Sequence, residues 1–385
     1  MNQFLKELQI DTQNDIQLSV QLSEQLTWLI ACGRLKPGEK LPAVRELADQ
    51  LGINLHTIRS AYRKLEEINL IKTRQGVGSI ILGYDLNAGS RRAMRSRTNM
   101  IGVIVPNIGG TFYQGMLQGV EEVASKHHIL VTVCDTGESH KKGRDFLDML
   151  IAKQVDGVIA GPYGLLMDDY DPKDSIKYED GAVPIVYVDR PLEQKYSVMI
   201  DAEGAGYTAT EHLIQLGHKK IAIISSRVEI SSLRQNFNGF LRALSAHGIP
   251  QKEDYHIEIK AHTFQSGYQA TLELLNLPDS PTAIFAVGDL VAIGCIRAIH
   301  ERGLQVPDDI AVVSYNDSDA AAFTDPPLTT IDNSSYKLGV TSMELLYKLI
   351  SGIGEPEEKI VLPTKLIVRK SCGSLVAKTN TGKNV

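Results

Sequence analysis

Long apolar runs and closely spaced cysteines are scarce in this 385-residue chain, and each shortage removes a class of protein. No uninterrupted apolar stretch approaches the ~20 residues of a membrane-spanning helix, and no signal-peptide pattern opens the chain, so a cytoplasmic protein without a membrane partner is expected. The four cysteines, Cys32, Cys134, Cys295 and Cys372, stand far apart with no CxxC or Cys/His ligand spacing. Reduced core thiols are expected in place of a disulfide framework or a zinc site. Signatures of catalysis are missing as well: no GxGxxG follows a strand, and GxxxxGK[ST], HExxH and a nucleophile elbow are absent. His127-His128, and His212 with His218, lack a partner at metal-ligand spacing, and Asp168-Asp169-Tyr170-Asp171 reads as a solvated acidic loop. Neither an enzyme nor a cofactor is expected.

An overall excess of positive charge is also missing, the net charge being −6. Splitting the chain changes that picture. Residues 1–98 carry 14 Lys and Arg against 10 Asp and Glu, a net of +4, and the remainder carries −10. Between Ile53 and Thr98 there are nine basic residues and three acidic ones. A phosphate-binding footprint is a local property, so the split counts for more than the total. The length calls for two or three domains.

What is present starts with Leu41–Tyr62. Val44, Leu47, Ala48 and Leu51 recur at the spacing of one apolar helix face, Gly52 breaks the pattern, and Asn54 can cap a second helix whose apolar face is Ile58, Ala61, Tyr62 and Leu65. Two short amphipathic helices about a glycine turn make a helix-turn-helix. Upstream, residues 18–32 form an amphipathic helix with Leu18, Leu22, Leu26 and Leu29, ended by Gly33 and the Pro37-Gly38 breaker. Downstream, two short apolar runs flank Arg74-Gln75-Gly76-Val77-Gly78, the pattern of a β-hairpin wing. Residues 83–98 hold Gly, Ser and four arginines with little apolar pattern, a basic linker.

The stretch Gly33–Leu82, with LPAVRELA, INLHTIRSAYRKLEE and TRQGVGS, resembles the GntR-type winged-helix DNA-binding domain. That resemblance implies that Arg45, the helix start at Asn54, Leu55, His56 and Thr57, then Arg59, and the wing at Arg74, Gln75 and Gly76 approach DNA. The residue types suit the task, because arginine pairs with phosphate oxygens or bidentately with guanine, and His56 and Thr57 can reach base edges.

From Met100 the pattern changes. Apolar runs at 100–106, 129–135, 155–161, 183–189, 220–226, 282–288 and 310–316 alternate with helical or loop segments. Continuous apolar strands alternating with helices predict an α/β fold with parallel sheets covered on both faces, here in two lobes. Ligands in such folds bind beyond the carboxyl ends of the strands. The residues there are Asn107, Gly110, Phe112 and Tyr113, then Asp189 and Arg190, Arg234 and Asn236, Phe264, Asp289, and Asn316 with Asp317. Aromatic faces beside Asp, Asn and Arg suit a hydroxyl-rich ligand. A single strand-end Asp is more often a helix cap; the set as a whole points to a cleft.

The segments VIVPNIGGTFYQGMLQGVEEVA, VDGVIAG, VYVDRPL, AVGDLVAIGCIRAIHERGLQVPDDIAVVSYND and DPPLTTI are similar to the LacI-type, periplasmic-binding-protein-like effector domain. This implies two Rossmann-like lobes, a sugar or similar effector in the cleft, and homodimers whose winged helices sit on a pseudo-palindromic operator. Three positions depart from the family pattern: Gly110 and Gly288 stand where Asn is frequent, and Asn236 takes an Arg position. The expected organisation is a reader at 1–82, a linker at 83–98, a sensor at 99–372 and a tail at 373–385. Within the sensor, lobe 1 covers about 99–201 with 331–359, and lobe 2 about 202–330 with 360–372. A GntR-type reader on a LacI-type sensor resembles arabinose repressors of the AraR kind, so L-arabinose leads as effector. A nucleoside or sugar phosphate is the alternative. A secreted sugar-binding transport protein would need no winged helix, and a pyridoxal-phosphate enzyme fused to the reader would need the space that the LacI-type motifs occupy.

Overall fold

A computed structural model describes residues 8, 10, 17–31, 33–74, 76–82, 98–162, 183–189, 196–226, 231–353 and 356–373. Gln75, Arg190, Cys32, the acidic loop at 168–171 and nearly all of the linker and tail lie outside the described residues.

The N-terminal elements are α1 (Leu18–Ala31), α2 (Val44–Leu51), α3 (Leu55–Glu67), β1 (Ile71–Arg74) and β2 (Gly78–Ile81). α2 stops at Gly52, which takes the left-handed conformation (φ 65°) and donates its N–H to the Ala48 carbonyl, a closure open to glycine at no steric cost. α3 starts at Asn54, whose side-chain oxygen accepts from the His56 N–H at 2.8 Å. The buried residues of α3 are Ile58, Ala61, Tyr62 and Leu65, the face its spacing predicts, and they share a core with Leu22, Leu26, Leu47, Ile71 and Ile81. Tyr62 is part of that core: its hydroxyl donates to the Pro42 carbonyl at 2.9 Å, and burial raises its pKa. The strands pair antiparallel, Ile71 opposite Ile81 and Arg74 opposite Gly78, so the hairpin is a wing. α1 also packs against α5 (His140–Ala152), where Lys153 pairs with Glu24 at 2.8 Å.

The remaining strands are β3 (Met100–Val105), β4 (Leu130–Asp135), β5 (Gly157–Ala160), β6 (Ile185–Val188), β7 (Ser197–Ile200), β8 (Ile221–Ser226), β9 (His256–Ile259), β10 (Ala283–Ala286), β11 (Ala311–Tyr315), β12 (Thr329–Asp332), β13 (Lys359–Leu362) and β14 (Lys365–Ile367). They form two six-stranded sheets, in the orders β13-β7-β6-β5-β3-β4 and β14-β12-β11-β10-β8-β9. The described pairings are parallel except for β14, which runs against β12. β5, β6, β10 and β11 are buried along their whole length, as strands covered on both faces must be.

The helices beside the sheets are α4 (Thr111–Lys126), α6 (Ala202–Gln215), α7 (Ser231–Ala246), α8 (Phe264–Leu275), α9 (Asp289–Glu301) and α10 (Ser335–Ser351). Three pairs of them, α4 with α10, α6 with α7 and α8 with α9, cross through reciprocal glycines. Gly119 faces the Tyr336 carbonyl and Gly339 the Met116 carbonyl; Gly206 faces Asn236 and Gly239 faces Glu203; Gly267 faces Val291 and Gly294 faces Phe264. At each, a Cβ would lie well under the 3.0 Å that real Cβ atoms keep from backbone. The helices therefore meet backbone to backbone.

Candidate DNA interface and effector site

On the reader, Arg45, His56, Arg59, Arg74 and Gly76 are exposed and Thr57 is half-buried. Gly76 (φ 80°) and Gly78 (φ 101°) turn the wing. Asn54 serves as the helix cap just described, so one of its side-chain oxygen's bonds is already made within the protein. Leu55 is half-buried and packs in part against the head's hydrophobic core. Arg63, by contrast, pairs loosely with Glu67 at 3.7 Å on the exposed side of the same helix.

The sensor residues gather around Asp189 and Tyr315. Phe112 and Tyr113 open α4 in an edge-to-face pair, with centroids 4.9 Å apart and planes at 84°. The Tyr113 hydroxyl donates to Asp189 Oδ2 at 3.1 Å. Tyr315 is buried, with the Asn236 and Asn333 side chains near its hydroxyl; desolvation first, then the Asp189 charge, raise its pKa. Asn316 Oδ1 accepts from Asn333 Nδ2 at 2.7 Å. Asp189 (φ 55°), Asn316 (φ 123°) and Asp317 (φ 52°) all hold positive φ, and such strain collects at binding sites.

Other expected contacts go elsewhere. Asp289, 2% exposed, accepts from the Ser314 hydroxyl (2.5 Å), the Ser318 N–H (2.5 Å) and the Thr330 hydroxyl (3.0 Å). Its carboxylate ties α9 to β11 and β12, and burial raises its pKa against the pull of those donors. Asp317 pairs with Arg369 Nη1 at 2.8 Å. Phe264 is 41% exposed, and its ring stacks on Tyr268 at 6.4 Å instead of joining the Asp189 group. Arg234 is exposed on α7. Asn333 and His262 were not expected. His262 retains an open edge but is hemmed in closely enough that desolvation lowers its pKa, and it lies beneath Gly288, whose Cβ would stand 3.8 Å from its Nδ1. Asn333 reads in sequence as one polar residue in a turn, and His262 sits among polar neighbours, so neither carries a local signal.

Three histidines carry a pH prediction. His218, His256 and His262 all have pKa values lowered by desolvation from the ordinary 6.5. The folded state resists protonation that the unfolded chain accepts, so their contribution is intact above pH 6.5 and is lost as pH falls below it. The thermal midpoint is expected to drop between about pH 6.5 and 5. His256→Gln, which keeps a polar partner for the Ser225 hydroxyl at 3.2 Å, should reduce that slope.

Among the described residues, no group of three or more His, Cys, Asp or Glu could hold a metal ion, and no helix is long and apolar enough to cross a membrane. Residues 18–81 match the model for bacterial regulatory proteins of the gntR family, and residues 210–372 match a periplasmic binding protein-like domain. The chain is 31% identical to the HTH-type transcriptional repressor PurR of Mannheimia succiniciproducens over 336 residues, which is 86% of this chain and 98% of that protein. It is 29% identical to the HTH-type transcriptional repressor CytR of Escherichia coli K12, across 89% of this chain and 99% of that one. A solved complex of the transcriptional regulator CelR with cellobiose is similar at a TM-score of 0.64 and 27% identity, covering 86% of this chain and 100% of that one.

Reader and two-sheet sensor in one polypeptide define a ligand-responsive transcriptional repressor. The chain belongs to the LacI-type family of these repressors, with a GntR-type winged helix as its DNA-binding domain.

Proposed function

We propose that the protein represses carbohydrate-utilisation genes in the cytoplasm, and that a sugar, L-arabinose first among candidates, releases it from its operator. The aromatic pair Phe112–Tyr113 beside Asp189 carries this reading. An aromatic ring face and a tyrosine already oriented on a carboxylate suit the apolar face and the hydroxyls of a pyranose. The CelR relative, solved with cellobiose, supports a carbohydrate in this fold.

In the same reading residues 1–82 bind DNA, 83–98 link and 99–372 sense. A homodimer sets two heads on half-sites of a pseudo-palindrome. Arg45, His56, Thr57, Arg59, Arg74 and the wing turn at Gly76 supply the contacts. Effector and DNA oppose each other by ~1–3 kcal/mol, the usual coupling between two sites. No catalysis is assigned. The test is a gel shift on an operator selected from random-sequence DNA, titrated with sugars, sugar phosphates and nucleosides. L-Arabinose is expected to weaken binding roughly 5- to 150-fold. Release by a nucleoside or sugar phosphate alone would replace the effector, and indifference to every compound would reject ligand release.

A further inference from the structure

Asn333 lies between β12 and α10, fully buried, where the chain leaves the second sheet. The crossing is well fixed: Asp332 Oδ1 accepts from the Ser334 N–H at 2.7 Å, and Ser334 is left-handed (φ 52°). Across from it the Asn316 N–H donates to the Ile331 carbonyl at 2.9 Å, which sets the backbone of the strand-end residue. Between these two fixed backbones Asn333 Nδ2 donates to Asn316 Oδ1 at 2.7 Å, while Asn333 Oδ1 has no partner among the described residues. A primary amide has one carbonyl and one NH₂ group. With the Asn316 carbonyl turned onto Asn333, its NH₂ is the end turned away from that contact.

We propose that Asn333 is a specificity-setting positioning residue, which holds the Asn316 amide so that the effector meets a hydrogen-bond donor there and must present an acceptor oxygen. The proposal rests on the sensor reading, in which Asn316 lines the effector site. It distinguishes ligands by hydrogen-bond polarity: a hydroxyl or ring oxygen is accepted, whereas a group able only to donate is refused.

The test uses the full-length protein and calorimetry with L-arabinose and its complete sets of monodeoxy and monodeoxyfluoro analogues. Fluorine accepts weakly and cannot donate, so at one position the fluoro compound should bind about tenfold more tightly than the deoxy compound. Asn333→Asp removes the donor behind Asn316. The Asn316 amide then turns to donate to the new carboxylate and shows its carbonyl to the effector, and the fluorine advantage is lost. Asn316→Asp places an acceptor at the same point without a new charge at 333, and should lose the advantage too while still accepting from Asn333. A fluoro-to-deoxy ratio unchanged in both variants overturns the proposal, since a merely structural Asn333 would weaken all analogues alike. Should L-arabinose not bind at all, the effector reading fails separately. The amide orientation is then read in unliganded protein from ¹⁵N-labelled side-chain NH₂ signals, assigned by their loss in the two variants. Slow solvent exchange at Asn333 with fast exchange at Asn316 supports the orientation, and the reverse order overturns it.

Discussion

Gly339→Ala is expected to destabilise the protein by about 3 kcal/mol, the upper end of what overpacking a tight contact costs, and to lower the thermal midpoint by roughly 6–12 °C. The new methyl would be driven into the Met116 carbonyl at the α4–α10 crossing, with the Val120 N–H also in its path. Backbone cannot rotate away, so the two helices must separate and surrender the contacts of Leu338, Met343 and Met116, all fully buried. Gly119→Ala on the facing helix should cost a similar amount. The double variant should cost less than both together, because one separation accommodates both methyls. Gly115→Ala, one turn earlier on α4, is the control: its methyl meets first the Ser335 hydroxyl, a group free to rotate, and should cost under about 1 kcal/mol. Thermal and urea unfolding of the four variants would decide. If Gly339→Ala and Gly115→Ala unfold together, the backbone-contact account is wrong.

Arg59→Ala is expected to weaken operator binding about 5- to 150-fold at fixed salt, the ~1–3 kcal/mol typical of a lost arginine contact to a base or a charged phosphate pair. Arg59 is exposed on α3 between the core positions Ile58 and Ala61, so the fold and the thermal midpoint should stay unchanged. Arg63, one turn on, is partly engaged with Glu67, and its alanine variant should lose less. Salt titration separates the two kinds of contact. A phosphate contact lowers the slope of log affinity against log salt by about one, and a base contact relaxes discrimination between operator sequences. Unchanged DNA affinity in Arg59→Ala would remove Arg59 from the interface and leave recognition to His56, Thr57 and the wing.

Much of this molecule is legible in its residues because burial imposes periodicity. The face Ile58, Ala61, Tyr62 and Leu65 could be read four residues at a time, and the fully buried β5, β6, β10 and β11 appear as unbroken apolar runs. The strands without a clear apolar run carry polar residues: β9, β13 and β14 lie at sheet edges with His, Glu or Lys among them, and β7 opens on Ser197 while β12 holds Thr329, Thr330 and Asp332. Site residues were legible as positions and less so as roles. Asp289 and Asp317 stand at strand ends, as ligand contacts would, yet their partners Ser314, Thr330 and Arg369 come from elsewhere in the chain. A carboxylate's partners are set by tertiary structure, which no local pattern encodes. Asn333 was invisible for the converse reason, since its importance lies in a neighbour 17 residues away.

The positive φ angles at Asp189, Asn316 and Asp317 limit how this sensor can diversify. Left-handed backbone tolerates glycine, asparagine and aspartate far better than any branched or bulky side chain. At these three positions a branched or bulky side chain would add backbone strain, so exchanges among glycine, asparagine and aspartate cost least. Exchanging asparagine for aspartate reverses a hydrogen bond or adds a charge while leaving the side chain's volume nearly as it was. On the proposed sensor reading, effectors of the same size but different hydroxyl pattern would call for such exchanges, whereas larger ones would call for changes at residues on ordinary backbone, such as Phe112 and Tyr113.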